Sequence, residues 1–328
     1  MERKDVMKKV TLIVLFSAVT LAIVAAPIQS FAAPLDRAAL IKLADDYFAA
    51  LVAKNPKGVP LADNIKIVEQ VKRIKPGEGL WQTATSVPTD FKIVVPDTVS
   101  QEVGGIVIMG IGGKPAQLGF RLKVENERIT EAEHLIVAIS NPDNPLLRLR
   151  PAILMEIPYE YRDSRGRLLW IAKSYYDALE WNNGSLTPFA PGCDRIENGM
   201  RTAPNGGPIG GVAIPGSKPR PVSLVGMQNC ASQLNTGTFQ YIDRIDNRRV
   251  FAADELTGLA VGFSHFRHSM QQKVFRILNT PGGEERDMSN QNPFDMPAIH
   301  IYKIWGGQMH EIEALGIVVG YNSPTGWE

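Results

Sequence analysis

The sequence contains an internal repeat. At an offset of 128 residues, Leu40–Glu69 aligns with Leu168–Glu197 without a gap. Leu40, Ala44, Tyr47, Ala50, Leu51, Asn55, Pro60, Ala62 and Glu69 then meet the identical Leu168, Ala172, Tyr175, Ala178, Leu179, Asn183, Pro188, Ala190 and Glu197, nine identities in thirty positions. Further on, Glu102 and Gly105 are matched with Glu255 and Gly258 at an offset of 153, and Lys123, Glu131 and Glu133 with Lys303, Glu311 and Glu313 at 180. The growing offset places two loop insertions in the second copy, at about 203–225 and 270–296. A repeated unit of this size must bury its own apolar face or that of its twin. The expected organisation is a first domain at 33–140, a linker at 141–158 and a second domain at 159–328.

The first residues carry a different signal. Arg3, Lys4, Lys8 and Lys9 precede an apolar run from Val10 to Ala26, and Ser30-Phe31-Ala32 supplies small residues where a signal peptidase reads. Residues 1–32 are therefore expected to be a cleaved signal peptide, and the mature chain to be periplasmic or secreted, with no stable membrane insertion. An uncleaved anchor is the alternative, but the run is at the short limit for a span. Thirty-five basic against 34 acidic residues give a net charge of +1 and no electrostatic case for nucleic acid. Cys193 and Cys230 are the only cysteines. An oxidising compartment favours a disulfide between them over two buried thiols, and their spacing is neither CxxC nor zinc-like.

Each copy opens with an amphipathic helix. Leu40, Leu43, Ala44, Tyr47, Phe48 and Leu51 recur at helical spacing, with Arg37, Lys42, Asp45 and Asp46 facing outward. Leu168, Ile171, Ala172, Tyr175, Tyr176 and Leu179 repeat the stripe, with Asp163 or Ser164 to cap it. Strands are predicted at 91–95, 105–111, 117–124 and 129–139, and again at 239–245, 259–268, 298–305 and 308–320. This order predicts an α+β chain of two tandem cone-shaped units, each an N-terminal helical part packed on a curved antiparallel sheet. Such a cone is a common ligand site.

The helix Ala39–Leu51 with its sequel Pro60-Leu61-Ala62-Asp63, and the paired hairpins Lys123-Val124-x4-Ile129-x-Glu131-x-Glu133 and Lys303-Ile304-x4-Met309-x-Glu311-x-Glu313, resemble the nuclear transport factor 2-like, or SnoaL-like, superfamily. The second copy resembles an uncharacterised bacterial and fungal domain of that superfamily through Cys193-Asp194-Arg195-Ile196-Glu197-Asn198-Gly199, Cys230-x2-Gln233, Arg248-Arg249 and Asp254-Glu255-x2-Gly258. The resemblance implies a cone fold and sheet-to-sheet packing of the copies as an internal pseudo-dimer, with a homo-oligomer possible. It leaves the function open, because the superfamily holds dehydratases, isomerases, cyclases and lyases beside non-catalytic binding domains.

The first copy is poor in reactive groups; its one histidine is His134, and Ile67 stands where the second copy has Arg195. The second copy gains Arg195, Tyr176, Asp177 and His265. Arg195 and Glu197 lie two apart, so a strand puts them on one face, where the guanidinium can hold an enolic oxygen while the carboxylate moves a proton. A structural ion pair is the competing account. His265 and His268 fall on opposite faces of a strand, so no shared metal is expected; one of them faces the cone. Tyr241 and Trp305 are candidates for the cone mouth, and Asp177, Asn198 and His268 complete the candidate substrate contacts. No GxSxG, GxxxxGK[ST], HExxH or GxGxxG occurs. The expected activity is cofactor-independent lyase, dehydratase or isomerase chemistry on a small, partly apolar molecule, with Glu197 or His265 as base and Arg195 or Tyr176 stabilising negative charge. The alternative is a periplasmic carrier that binds a hydrophobic ligand without turnover.

Overall fold

A computed structural model describes residues 33–204, 228–280 and 283–328. The expected signal peptide, and most of the first insertion, lie outside the described residues.

The first half starts with α1 (Arg37–Val52), capped by Asp36, whose carboxylate accepts from Ala39 N–H at 2.8 Å. Then come β1 (Leu61–Glu69), β2 (Lys72–Ile74), the short α2 (Leu80–Thr83), β3 (Ala84–Ser86), β4 (Lys92–Asp97), β5 (Glu102–Ile111), β6 (Lys114–Glu125) and β7 (Arg128–Ala138). The seven strands form one sheet in the order β2-β1-β7-β6-β5-β3, with β4 also on β5. The β1–β7 pair is parallel and the others are antiparallel.

A short helix α3 (Pro151–Leu154) precedes the second half: α4 (Arg165–Glu180), β8 (Phe189–Glu197), β9 (Met200–Ala203), α5 (Cys230–Leu234), β10 (Arg244–Asp254), β11 (Leu259–His268), β12 (Val274–Arg276), β13 (Glu285–Asp287), β14 (Phe294–Trp305), β15 (Gln308–Gly316) and β16 (Val319–Gly320). Its sheet runs β10-β11-β14-β15-β8-β9, with β8–β15 as the parallel pair. The fold is α+β with two curved sheets, and each opening helix packs against the sheet of its own half.

Three expectations need correction. Residues 239–241 are turn and 242–243 irregular, not strand, because the chain is still leaving α5; the strand missed there is β10. The second insertion is not loop alone but carries the β12–β13 hairpin. The pairing of Glu102 and Gly105 with Glu255 and Gly258 is out of register. Glu102 lies opposite Lys123 and Leu259 opposite Lys303, so Glu102 answers to Leu259 and Gly105 to Gly262, while Glu255 and Gly258 sit in the β10–β11 turn.

The outer faces of the two sheets share one apolar core. Ile93, Val95, Ile106 and Leu135 of the first half meet Phe251, Val261, Phe263, Ile299, Ile301 and Leu315 of the second. Gly119 on β6 permits this approach: a Cβ there would lie 2.5 Å from Ile299 Cγ2. The inner faces hold separate cores under α1 and α4.

Candidate functional site

The registers allow the two inner cores to be compared position by position. Toward α1 the first sheet presents Ile67, Val107, Phe120 and Leu122, and α1 presents Phe48. The corresponding residues of the second half are Arg195, Ser264, His300, Tyr302 and Tyr176. Five hydrocarbon side chains of the first half thus correspond in position to five polar ones of the second, all buried. One change runs the other way: His134 corresponds to Ala314.

In the first half, Tyr47 Oη lies 3.1 Å from His134 Nε2, and His134 Nδ1 lies 3.1 Å from Glu69 Oε2. Glu69 also accepts from Leu80 N–H at 2.9 Å. The chain is closed, and burial drives the Tyr47 pKa up, so this network reads as structural.

The second half keeps Tyr175 and Glu197 but joins them through Arg195 instead of a histidine. The guanidinium is fully buried. Its Nε donates to Thr202 Oγ1 at 2.9 Å, one Nη donates to Gln233 Oε1, and the other lies 3.5 Å from Tyr175 Oη. Glu197 Oε1 lies 3.8 Å from Nε, and the Phe239 ring 5.4 Å from the guanidinium carbon. Glu197 has a side chain 33% exposed, so this cluster reaches solvent through it.

Tyr175, Tyr176, Tyr302 and Phe266 surround His300, with ring centroids 5.5–6.3 Å apart wherever they pair. His300 Nδ1 has no hydrogen-bond partner. Burial, then the Arg195 charge, lowers its pKa to about 3, so the ring is neutral. Burial raises the Tyr175, Tyr176 and Tyr302 pKa values and keeps them protonated. The Tyr302 and Ser264 hydroxyls lie near enough to Tyr176 to counter part of its rise, yet none of the three hydroxyls has a hydrogen-bond partner among the described residues. Among the described residues of this cluster, Arg195 is the permanently charged one, and Arg195, Tyr175, Tyr176, His300 and Tyr302 are all buried.

Of the residues expected from sequence, Arg195 and Glu197 come together here, and Tyr176 lies in the adjoining ring cluster with Tyr175, His300 and Tyr302. His268 is the histidine on the inner face, stacked between Tyr241 (5.5 Å) and Phe294 (4.2 Å), with a pKa lowered by burial to about 4. Tyr241 packs on the same core. His265 must be corrected: β11 turns it to the outer face, where Nε2 lies 3.1 Å from Ser323 Oγ and 3.7 Å from Asp295, away from Arg195. Asp177 lies on the exposed side of α4 and pairs with Arg248. Asn198 is a turn residue with φ +50 whose amide bonds the Gly316 backbone. Trp305 stacks on His310 at 3.8 Å, at the β14–β15 hairpin end. Cys193 and Cys230 form the expected disulfide, with an S–S distance of 2.06 Å. His300, Tyr302 and Ser264 were missed, although the offset of 180 already matches His300 with Phe120 and Tyr302 with Leu122. Among the described residues no cluster of three or more His, Cys, Asp or Glu side chains is arranged to hold a metal, and no helix is long and apolar enough to cross a membrane.

Residues 161–316 match a family described as a domain of unknown function (DUF8021). No curated protein matches the chain. Among solved structures, the chain is similar to an NTF2-like protein of unknown function from Cytophaga hutchinsonii, at 14% identity over 30% of this chain and 88% of that one, with a TM-score of 0.25. It is similar to a putative ketosteroid isomerase from Kribbella flavida at 15% identity, over 37% and 91%, with a TM-score of 0.26. A putative SnoaL-like polyketide cyclase from Jannaschia sp. shares 12% identity over 47% and 90%, with a TM-score of 0.27.

Proposed function

We propose that the inner core of the second half transfers a proton on a small, partly apolar organic molecule bearing a carbonyl or carboxylate oxygen, as a lyase, dehydratase or isomerase does. The carrying observation is the exchange of five hydrocarbon side chains for Arg195, Ser264, His300, Tyr302 and Tyr176, against a single change in the other direction, His134 for Ala314. A buried polar group left unpaired costs about 1–3 kcal/mol, so an interior that only had to pack would keep the residues of the first half. Arg195 is a permanent cation and the tyrosines are protonated donors, a set suited to negative charge developing on oxygen. Neutral His300 adds a donor or acceptor. Glu197 is the base in this reading, partly open to solvent and beside Arg195.

The same reading takes the chain as exported and its halves as tandem copies folded as an internal pseudo-dimer. The buried disulfide and the shared outer-face core support it.

The test is deuterium incorporation from D2O into a panel of enolisable ketones and β-hydroxy acids, followed by NMR. Exchange by the parent protein, cut about 10²–10⁴-fold in Glu197→Gln and reduced in Tyr176→Phe, is the expected result. Undiminished exchange in both variants would end the mechanism. A parent without exchange that releases an unchanged hydrophobic ligand in native mass spectrometry would make the chain a carrier.

A further inference from the structure

The structure assigns the Cys193–Cys230 disulfide a task beyond crosslinking: together with Gln233 it sets the position of the Arg195 guanidinium. The inference rests on the reading of Arg195 as the charged centre of the second half, but its test does not need turnover.

The geometry comes from two periodicities. On β8, Cys193 and Arg195 are two residues apart and share the inner face. On α5, Cys230 and Gln233 are three apart and share one face of the helix. A covalent rung from Cys193 to Cys230 therefore places a second rung, Gln233 to Arg195, directly beside it. Both rungs are present: the sulfurs are bonded, and Gln233 Oε1 accepts from an Arg195 Nη. Gln233 is fully buried, and its Nε2 donates to Thr202 O at 2.7 Å. Thr202 Oγ1 accepts from Arg195 Nε at 2.9 Å. The guanidinium is thus gripped from β9 and α5 together, and only α5 is held by the disulfide.

Two further facts fit this role. The helix α5 is five residues long, too short to be stable alone. It sits close on the turn after α4, where a Cβ on Gly184 would lie 2.1 Å from Ala231 O. The first half has neither rung: Ile65 and Ile67 stand at the positions of Cys193 and Arg195. The crosslink and the buried cation occur in the same half. Gln233 is a positioning residue here, acting through Arg195.

The experiment follows the Arg195 Nε–H resonance and the His300 imidazole titration by NMR in Cys193→Ser/Cys230→Ser, in Gln233→Leu and in Gln233→Glu, with far-UV circular dichroism as the control for folding. His300 faces Arg195, Tyr175, Tyr176, Tyr302 and Phe266, so it reports on the cation beside it. The expected result is a broadened or lost Arg195 signal and a His300 midpoint raised by at least one pH unit in the first two variants. Gln233→Glu keeps an acceptor for the guanidinium and should restore the signal. An unchanged Arg195 resonance and His300 midpoint in Gln233→Leu would overturn the assignment, even if the cysteine variant fails to fold. Failure of the proton-transfer reading would leave these signals unaffected, so the two can be told apart.

Discussion

Arg37, the first residue of α1, donates to Asp254 of the opposite half at 3.1, 3.2 and 2.8 Å. Arg165, the first residue of α4, does the same to Asp97, at 2.9 and 2.7 Å. Arg37 and Arg165 are one repeat apart at the offset of 128, and Asp97 and Asp254 end the corresponding strands β4 and β10. Each half thus holds the other by an arginine–aspartate contact from the first residue of its opening helix. Asp97 is 1% exposed and also accepts from the backbone N–H groups of Val99, Ser100 and Ala253. Asp97→Ala should therefore cost about 3–5 kcal/mol, because it strands several donors. Arg165→Ala should cost about 1–2 kcal/mol, because the carboxylate keeps its backbone donors. Urea unfolding measures both; equal costs, or two separate transitions in the parent, would refute this view of the clasp.

Glu313 should make the chain less stable as the pH rises toward neutrality. Its side chain is fully buried; Arg150 Nη1 donates to Oε2 at 2.9 Å, and Oε1 has no partner. Burial raises its pKa to about 7, with Arg150 opposing and Glu311 and Asp194 adding to the rise. A folded-state pKa above the ordinary 4.5 means that the contribution is complete below pH 4.5 and is lost as the pH climbs through about 7. The swing is on the order of 2–4 kcal/mol. Glu313→Gln keeps the acceptor for Arg150 and removes the titration. Its unfolding free energy should exceed the parent's at pH 8 and match it near pH 4.5, as read by denaturant titrations at both values.

What could be read from sequence was what periodicity carries. The helix stripes gave α1 and α4, and the Ile67-to-Arg195 exchange was visible because β1 and β8 align without a gap. Strand parity was the weak link. Alternation shows that His265 and His268 lie on opposite faces, but not which face is inner; that depends on pairing with Pro297 and Phe294 across β14. The register error at Glu102 hid the exchange of Val107 for Ser264, because no uninterrupted identity spans the β4–β5 turn. The roles of Asn198 and Trp305 are tertiary, a turn tied to Gly316 and a stack on His310, and nothing local encodes them.

Gly119 tests the outer-face packing. Gly119→Ala brings a methyl carbon to 2.5 Å from Ile299 Cγ2, a distance at which the Ile299 side chain or its strand must shift. Overpacking of this kind costs about 1–3 kcal/mol. Ile299→Ala alone removes buried hydrocarbon and costs about 2–5 kcal/mol. The double variant should cost clearly less than the sum, because the added methyl enters the space that Ile299 leaves. Additive costs in a double-mutant cycle would show that the two residues do not meet.

His300 sets the acid limit of the fold. Its folded pKa of about 3 lies below the ordinary 6.5, through burial first and Arg195 second. A depressed value means that the contribution is whole above pH 6.5 and is lost as the pH falls toward 3. The loss is on the order of 3–5 kcal/mol over that window. His268, lowered by burial to about 4, adds to the loss with the same sign. Phenylalanine is what the first half carries at the corresponding position, Phe120. His300→Phe should therefore fit the aromatic cluster and remove one titrating group. The difference between variant and parent is the quantity to measure, since Glu313 and His268 titrate in both and cancel. Thermal unfolding from pH 7 down to pH 4 should show the variant gaining on the parent steadily as the pH drops. Parallel curves would mean that His300 is charged inside the fold, and that the neutral ring assigned to it is wrong.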